Sequence, residues 1–252
     1  MRELKRDWYK YMFDNFLVER TLNSKSLLEL AEREADFLIK ILDIKKTEEI
    51  LDVPCGTGRH SNILASKDYS VTGLDISEAC VNLAKKKCKN DKARFEKADM
   101  FDLGRYKNQF DVVLNLGTSF GYLPTDEENM SFMRELVSAL KPKGRLCISA
   151  VNKDCFYKNY YPTKWGETNE IFALQRFNFD PHTNYLKEEL VIIDKKSKEM
   201  RKYFSRVRYY SKSELVFLMK EAGLKKIKFY GSSDMPRFSK YKTYQPFYLG
   251  YK

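Results

Sequence analysis

LDVPCGTGRHS, residues 51–61, decides the reading of the fold: an apolar run ends at Asp52, passes through Pro54, Gly56 and Gly58, and turns into a helix start. A strand that stops at a glycine-rich loop and re-enters as a helix is the first βα turn of a doubly wound sheet, where ligands bind beyond the carboxyl ends of the strands. Gly56 and Gly58 carry no Cβ. The backbone there can turn tightly and lie against a ligand, while the N–H groups opening the helix stay free to donate. The loop departs from the common nucleotide cradles, because Ser61 stands where GxGxxG has its third glycine and no GxxxxGK[ST] is present.

Outward from this loop, strand-like and helix-like stretches alternate as in an α/β domain with a largely parallel sheet. Upstream, Leu27, Leu30, Ala31, Ala35, Leu38, Ile41 and Leu42 recur at helical spacing behind a Ser26/Glu29 capping box. Downstream, HSNILASK reads as a short helix, SVTGLDIS as a second strand and EACVNLAKKKC as a helix capped by Ser77. ARFEKADM is a third strand and FDVVLNLG a fourth, apolar enough to be covered on both faces. Thr125 and Glu128 box a helix running to Leu140, and KPKG turns the chain into a fifth strand, RLCISAV. Residues 152–210 break this rhythm with alternating stretches such as YLKEELVIID and KYFSRVRYY, which suit antiparallel strands inserted in the domain. Ser211 and Glu214 box a last helix ending at Gly223, and LKKIKFYG and QPFYLGYK close the chain as strands.

Composition sets the bounds. A chain of 252 residues, 43% hydrophobic and 32% charged, can bury one good core as a soluble globular domain. MRELKRDWYK at the start is charged with no apolar run behind it, and nowhere do about 18 apolar residues run together, so the expected setting is cytoplasmic with no membrane contact. Five cysteines, Cys55, Cys80, Cys88, Cys147 and Cys155, form no CxxC pair, which signals neither a disulfide framework nor a metal site. The 46 Lys+Arg against 35 Asp+Glu give a net charge of +11, the balance of a nucleic-acid binder or of a lysine-rich solvated surface. The lysines are dispersed, in KKK (85–87), KPK (141–143), DKKSK (194–198) and KKIK (225–228), which favours the second.

Carboxylates at successive strand ends describe the ligand. Asp75 ends the second strand, where it can accept from both ribose hydroxyls. Asp99 and Met100 end the third, where a carboxylate takes an adenine amino proton and a thioether covers the ring. Asp52, at the loop entrance, can meet an ammonium group. An amine, a ribose and an adenine with no required phosphate describe S-adenosylmethionine.

ILDVPCGTGRHS, VTGLDIS, KADM, FDVVLNLGTSFGYL, LKPKGRLCIS and RYYSKSELVFLMKEAG, spread over roughly residues 26–230, resemble class I S-adenosylmethionine-dependent methyltransferases, especially small-molecule enzymes of the sugar N-methyltransferase and glycine N-methyltransferase types. The resemblance implies a Rossmann-like, doubly wound seven-stranded sheet with the last strand antiparallel, and an antiparallel β insertion after strand five. It implies one methyltransferase domain over residues 1–252, with a lid segment (1–25), a cofactor-binding core (26–151), an insertion over the acceptor pocket (152–210) and a final helix and strands (211–252). It further implies that Asp52, Pro54, Gly56 and Gly58 hold the methionine part, Asp75 and Ile76 the ribose, and Asp99 and Met100 the adenine, with Asn115, Leu116 and an N-terminal tyrosine, Tyr11 or Tyr9, completing the cofactor site. Pro54 departs from the family pattern, standing where its first glycine usually falls.

The implied activity is transfer of a methyl group (EC class 2.1.1) to a small-molecule acceptor by direct in-line displacement, leaving S-adenosylhomocysteine. Alignment of the reactants can lower a barrier by roughly 7–11 kcal/mol, against ~3–5 kcal/mol for a general base, so positioning dominates. Tyr122 is the first candidate for an orienting hydroxyl, with Ser119 and His182 beside it as candidate catalytic groups. Tyr122, Trp165, Arg208 and Tyr209 are candidates to bind the acceptor, and Arg206 is a further one. An RNA methyltransferase and a non-catalytic S-adenosylmethionine-binding protein are the alternatives; against the first, NLGTSFGY replaces the [DN]-P-P-[YF] of amino-methylating nucleic-acid enzymes. Monomer and homodimer are both open.

Overall fold

A computed structural model describes residues 4–22 and 24–252. The elements in chain order are α1 (Tyr9–Met12), α2 (Asn15–Thr21), α3 (Lys25–Leu42), β1 (Glu49–Asp52), α4 (Arg59–Ser66), β2 (Ser70–Asp75), α5 (Glu78–Lys87), β3 (Ala93–Lys97), β4 (Phe110–Asn115), α6 (Asp126–Ala139) and β5 (Leu140–Ser149). Then come α7 (Lys153–Lys158), β6 (Thr163–Glu167), β7 (Ile171–Asp180), β8 (Tyr185–Asp194), β9 (Met200–Arg208), α8 (Lys212–Glu221), β10 (Lys225–Tyr230) and β11 (Phe247–Tyr251).

The main sheet has seven strands in the order β10-β11-β5-β4-β1-β2-β3. β1 to β5 pair in parallel, and β11, the last strand, runs antiparallel to both of its neighbours. Alternation along the strands feeds two cores. Leu51, Val113 and Leu146 pack with Met133 and Leu136 of α6 on one face. Ile50, Val112 and Leu114 pack with Leu38 and Leu42 of α3 and Leu64 of α4 on the other. Both faces of these strands are therefore dry, and each fully buried aliphatic side chain contributes roughly 1.5–3 kcal/mol. β1 lies between β2 and β4, so the loops after β1 and β4 diverge and open a crevice at their carboxyl ends.

Residues 163–208 form a separate four-stranded antiparallel sheet, β6-β7-β8-β9. Three local expectations differ from the structure. α3 starts two residues earlier than the Ser26 box: Ser24, in extended backbone, accepts from the Leu27 N–H at 3.4 Å, leaving Ser26 inside the first turn. KPKG is taken into β5 as an irregularity, with Lys143 at φ 68° and a register shift opposite Phe110 and Val112. The insertion opens with a helix, α7, capped by the Asn152 side chain, in a stretch too short to show helical period. The Ser211/Glu214 capping box forms as read, with both of its reciprocal bonds. No helix among the described residues is long and apolar enough to cross a membrane.

Candidate active site

A cavity of about 150 Å³ lies beyond the ends of β1, β2, β3 and β4. From β1 and its loop come Asp52, Pro54, Cys55, Gly56 and Thr57; from β2, Asp75 and Ile76; from the end of β3, Asp99 and Met100. Leu116, Gly117, Ser119 and Tyr122 follow β4, and Tyr9, Phe13 and Leu22 close over from the N-terminal segment. Gly56 sits at φ +54° with nothing within 4 Å of where a Cβ would stand, so its bare backbone faces open space.

The carboxylates are individually held. Asp52 is 1% exposed and accepts from Ser61 Oγ at 2.5 Å, and burial raises its pKa above the ordinary range. Asp75 accepts from the Gly56 N–H and the Ser77 N–H, each at 2.8 Å, which ties the loop after β1 to the end of β2. Burial pushes the Asp75 carboxyl up to about 6, against the lowering effect of those two donors. Asp99 accepts from the Phe101 N–H at 3.1 Å and pairs with Lys10 of the N-terminal segment at 3.6 Å.

The far wall is aromatic. Tyr122 packs against Trp8 with ring centroids 4.7 Å apart and planes tilted by 54°, and stacks on Tyr9 at 6.3 Å. Its phenol is held above the ordinary pKa chiefly by burial, so at neutral pH it stays protonated and able to donate. The Tyr9 phenol is pushed up to about 12, mainly by burial and then by Asp99. Cys55 and Cys80 also line the cavity, with both thiols raised by burial, that of Cys80 to about 12.

The other candidates lie elsewhere. Gly58, at φ +69°, caps α4, and a Cβ there would meet Ala84 Cβ at 2.7 Å; its bareness serves helix packing. Asn115 donates to the Val53 carbonyl at 2.7 Å and so braces the loop from behind. Tyr11 is 60% exposed: two residues along α1 is more than half a turn, so Tyr9 goes in and Tyr11 out. Trp165 is 71% exposed, because its register partner is Leu174 on the outer face of the insertion sheet. His182 is exposed on the β7–β8 turn, where its backbone N–H donates to Asp180.

Arg208 is 6% exposed, but its guanidinium is spent on Asp126 at 3.1 Å and Glu214 at 2.9 Å, leaving none for an acceptor. Arg206 lies over the Tyr185 ring at 4.0 Å. Tyr209 packs on Phe156 at 4.9 Å, and burial raises the pKa of its phenol. Phe13 comes from the aromatic stretch DWYKYMFDNFL, expected to pack as core or to close over the cofactor, whereas Thr57, Leu22 and Cys80 line the cavity without having been singled out as site residues. Thr57 had a signal, standing between the two loop glycines; the others reach the cavity through tertiary packing alone. Among the described residues, no group of three or more His, Cys, Asp or Glu is placed to hold a metal ion.

Residues 50–144, which run from β1 into β5 and supply most of this wall, match the family model described as "Methyltransferase domain". Residues 50–144 are thus similar to methyltransferase domains. Among curated proteins, the glycine/sarcosine N-methyltransferase of Parasynechococcus marenigrum is 30% identical over 142 residues, covering 55% of this chain and 50% of that protein. The glycine N-methyltransferase of Rattus norvegicus is 31% identical over 132 residues, 47% of this chain and 45% of that protein. The chain thus spans about half the length of the curated relatives it matches. The CcbJ methyltransferase from Streptomyces caelestis superposes with a TM-score of 0.81 at 18% identity, covering 98% of both chains. At that identity the likeness concerns fold, and it extends beyond residues 50–144 to the insertion and the closing strands.

Proposed function

We propose that the protein transfers a methyl group from S-adenosylmethionine to a small-molecule acceptor by in-line displacement, releasing S-adenosylhomocysteine (EC class 2.1.1). The observation that carries this reading is the convergence of Asp52, Asp75 and Asp99, from the ends of three neighbouring strands, on one cavity floored by the bare backbone of Gly56. The donor set suits the cofactor. The Thr57 hydroxyl is buried on the cavity wall with no hydrogen-bond partner, and open space stands over Gly56, so a polar ligand is needed to complete the site.

When bound, S-adenosylmethionine supplies an already activated methyl group on a positively charged sulfur. The chain's part is to bind, orient and keep water out. Asp75 and Ile76 hold the ribose, Asp99 and Met100 the adenine, and Asp52, Gly56 and Thr57 the amino-acid end. Tyr9, Phe13 and Leu22 roof the site. Tyr122, protonated and backed by Ser119, orients the acceptor as a hydrogen-bond donor; its raised pKa disqualifies it as a base.

The 4-stranded sheet supports a small acceptor, since it packs on the N-terminal helices and α7 beside the cavity. The glycine and sarcosine enzymes among the relatives, and the sugar N-methyltransferase KedS8 among the structures (TM-score 0.69, 17% identity, 94% of this chain and 92% of that one), support the same acceptor class. A cytoplasmic setting goes with this reading. The test is a titration with S-adenosylhomocysteine in a calorimeter, followed by transfer of labelled methyl to a metabolite extract and to total RNA. Binding with label in the small-molecule fraction is expected; absence of binding, or label in RNA, overturns the proposal.

A further inference from the structure

The inner face of the insertion sheet carries one acidic group that its surroundings leave unneutralised. Cross-strand register sets Phe177, Glu188 and Ser205 in one row and Gln175, Leu190 and Tyr203 in the next. Toward one end this face packs on Phe16 and Leu17 of α2, and toward the other on Val151 and Phe156. Glu188 lies between. Gln175 Nε2 donates to its Oε1 at 2.7 Å and Ser205 Oγ to its Oε2 at 3.1 Å.

Those two donors fix the carboxylate but carry no charge. Among the described residues, no lysine, arginine or histidine makes an ion pair with Glu188. Its neighbour Glu189, on the outer face, pairs with Arg176 at 3.7 Å and with Lys202 at 3.8 Å. Phe177 stands directly across from Glu188 in the sheet, and Phe177 and Tyr209 pack around Phe156 and Leu186, the residue two positions before Glu188 on the same face. Toward the start of β8, Tyr185 donates to the Leu123 carbonyl at 2.9 Å, next to Tyr122 of the cofactor cavity, so this end of the insertion sheet adjoins the cavity wall.

A carboxylate without a counter-ion, set among aromatic rings, attracts a cation both by Coulomb force and through the ring quadrupoles. We propose that Glu188, oriented by Gln175 and Ser205, anchors the amino group of an amine acceptor; this rests on the reading of the cavity as a methyl-transfer site. The amine binds as the ammonium ion, gives its proton to water before its lone pair attacks the methyl carbon as the carbon–sulfur bond breaks, and is again an ammonium ion once alkylated; Glu188 neutralises both charged states.

The test uses the full chain with Trp165→Phe, which leaves Trp8, in contact with Tyr122, as the sole tryptophan. The S-adenosylhomocysteine complex is titrated with butylammonium chloride and, separately, with butan-1-ol, while Trp8 emission is followed. The ammonium ion is expected to bind about tenfold or more tightly than the alcohol. Glu188→Gln is expected to bring that ratio to near one, Glu188→Asp to keep most of it, and neither to change affinity for S-adenosylhomocysteine. An absent preference in the parent protein, or one that survives Glu188→Gln, overturns the proposal. Should Glu188→Gln fail to fold, the parent ratio alone decides. Should S-adenosylhomocysteine not bind, the reading of the cofactor cavity falls, and the same titrations on the unliganded protein still decide the role of Glu188.

Discussion

Asp75 shows how much a single side chain reveals before its surroundings are known. Its place at the end of a strand, after a glycine loop, made it legible as a ligand-facing carboxylate. Its bonds to the Gly56 and Ser77 N–H groups were not legible, because they depend on how the β1 loop falls across β2. Asp75→Ala is expected to weaken S-adenosylhomocysteine binding by about 1–3 kcal/mol in a calorimetric titration, through the lost hydrogen bonds. The pH dependence carries a definite sign. Burial puts this carboxyl at about 6, above its unfolded value, so the neutral form prevails below 6 and the better acceptor above it. Cofactor affinity is therefore expected to rise with pH through about 6, with Asp75→Asn flattening the bend. The unliganded protein responds oppositely. The stability this group contributes is full below the ordinary carboxylate range and lost as pH rises through about 6. Tyr9 and Tyr11 mark the limit at this scale: both are aromatic and near the loop, and only the rotation of α1 separates them.

At the level of strands and helices, alternation and capping were enough to place the main sheet, since its strands are apolar runs bounded by turn residues. The insertion was legible as antiparallel but not as oriented. Which face of β6 turns inward is set by its pairing to β7, and one step of register sends Trp165 outward with Leu174. The join between insertion and core was invisible as well. The Arg208 N–H donates to the Gly121 carbonyl at 2.8 Å, while a Cβ on Gly121, at φ +104°, would lie 2.3 Å from the Arg208 carbonyl oxygen. Gly121→Ala is expected to lower stability by about 2 kcal/mol or more in urea denaturation, from backbone strain and displacement of β9.

Arg208→Ala tests the same joint through charge. Removing one partner of a buried pair costs about 3–5 kcal/mol, and an exposed pair is worth about 1 kcal/mol or less. The Arg208 side chain is 7% exposed and that of Asp126 54%, so a loss of about 2 kcal/mol is expected, with cofactor affinity unchanged. Glu214 adds to the joint: burial alone would raise its carboxyl, but Lys153, Ser211 and Arg208 hold it down to about 2.

Across the whole molecule, the N-terminal segment is tied down at several separated points. Lys10 meets Asp99 at 3.6 Å, Arg20 meets Asp194 at 2.5 Å, Arg201 meets Asp14 at 2.9 Å, and Ser77 Oγ donates to the Phe13 carbonyl at 2.6 Å. These ties bridge the main sheet and the insertion, and most are open enough to water to loosen with salt. Amide exchange over residues 9–21 is expected to slow when S-adenosylhomocysteine binds and to quicken at high ionic strength, as read by mass spectrometry. Sequence could supply the aromatic density of this segment but not its anchors, which lie up to 189 residues away along the chain.

Because Tyr9 and Phe13 roof the cavity while Trp8 leans on Tyr122 of its far wall, one segment borders the cavity on two sides, where the proposed cofactor and acceptor would both pass. Reactants that share a door cannot come and go independently. On the proposed methyl transfer, the methyl source is expected to arrive first and its spent form to depart last, giving sequential ordered kinetics. Spent nucleoside should compete with the fresh one in steady-state inhibition plots, and should be noncompetitive toward the other reactant.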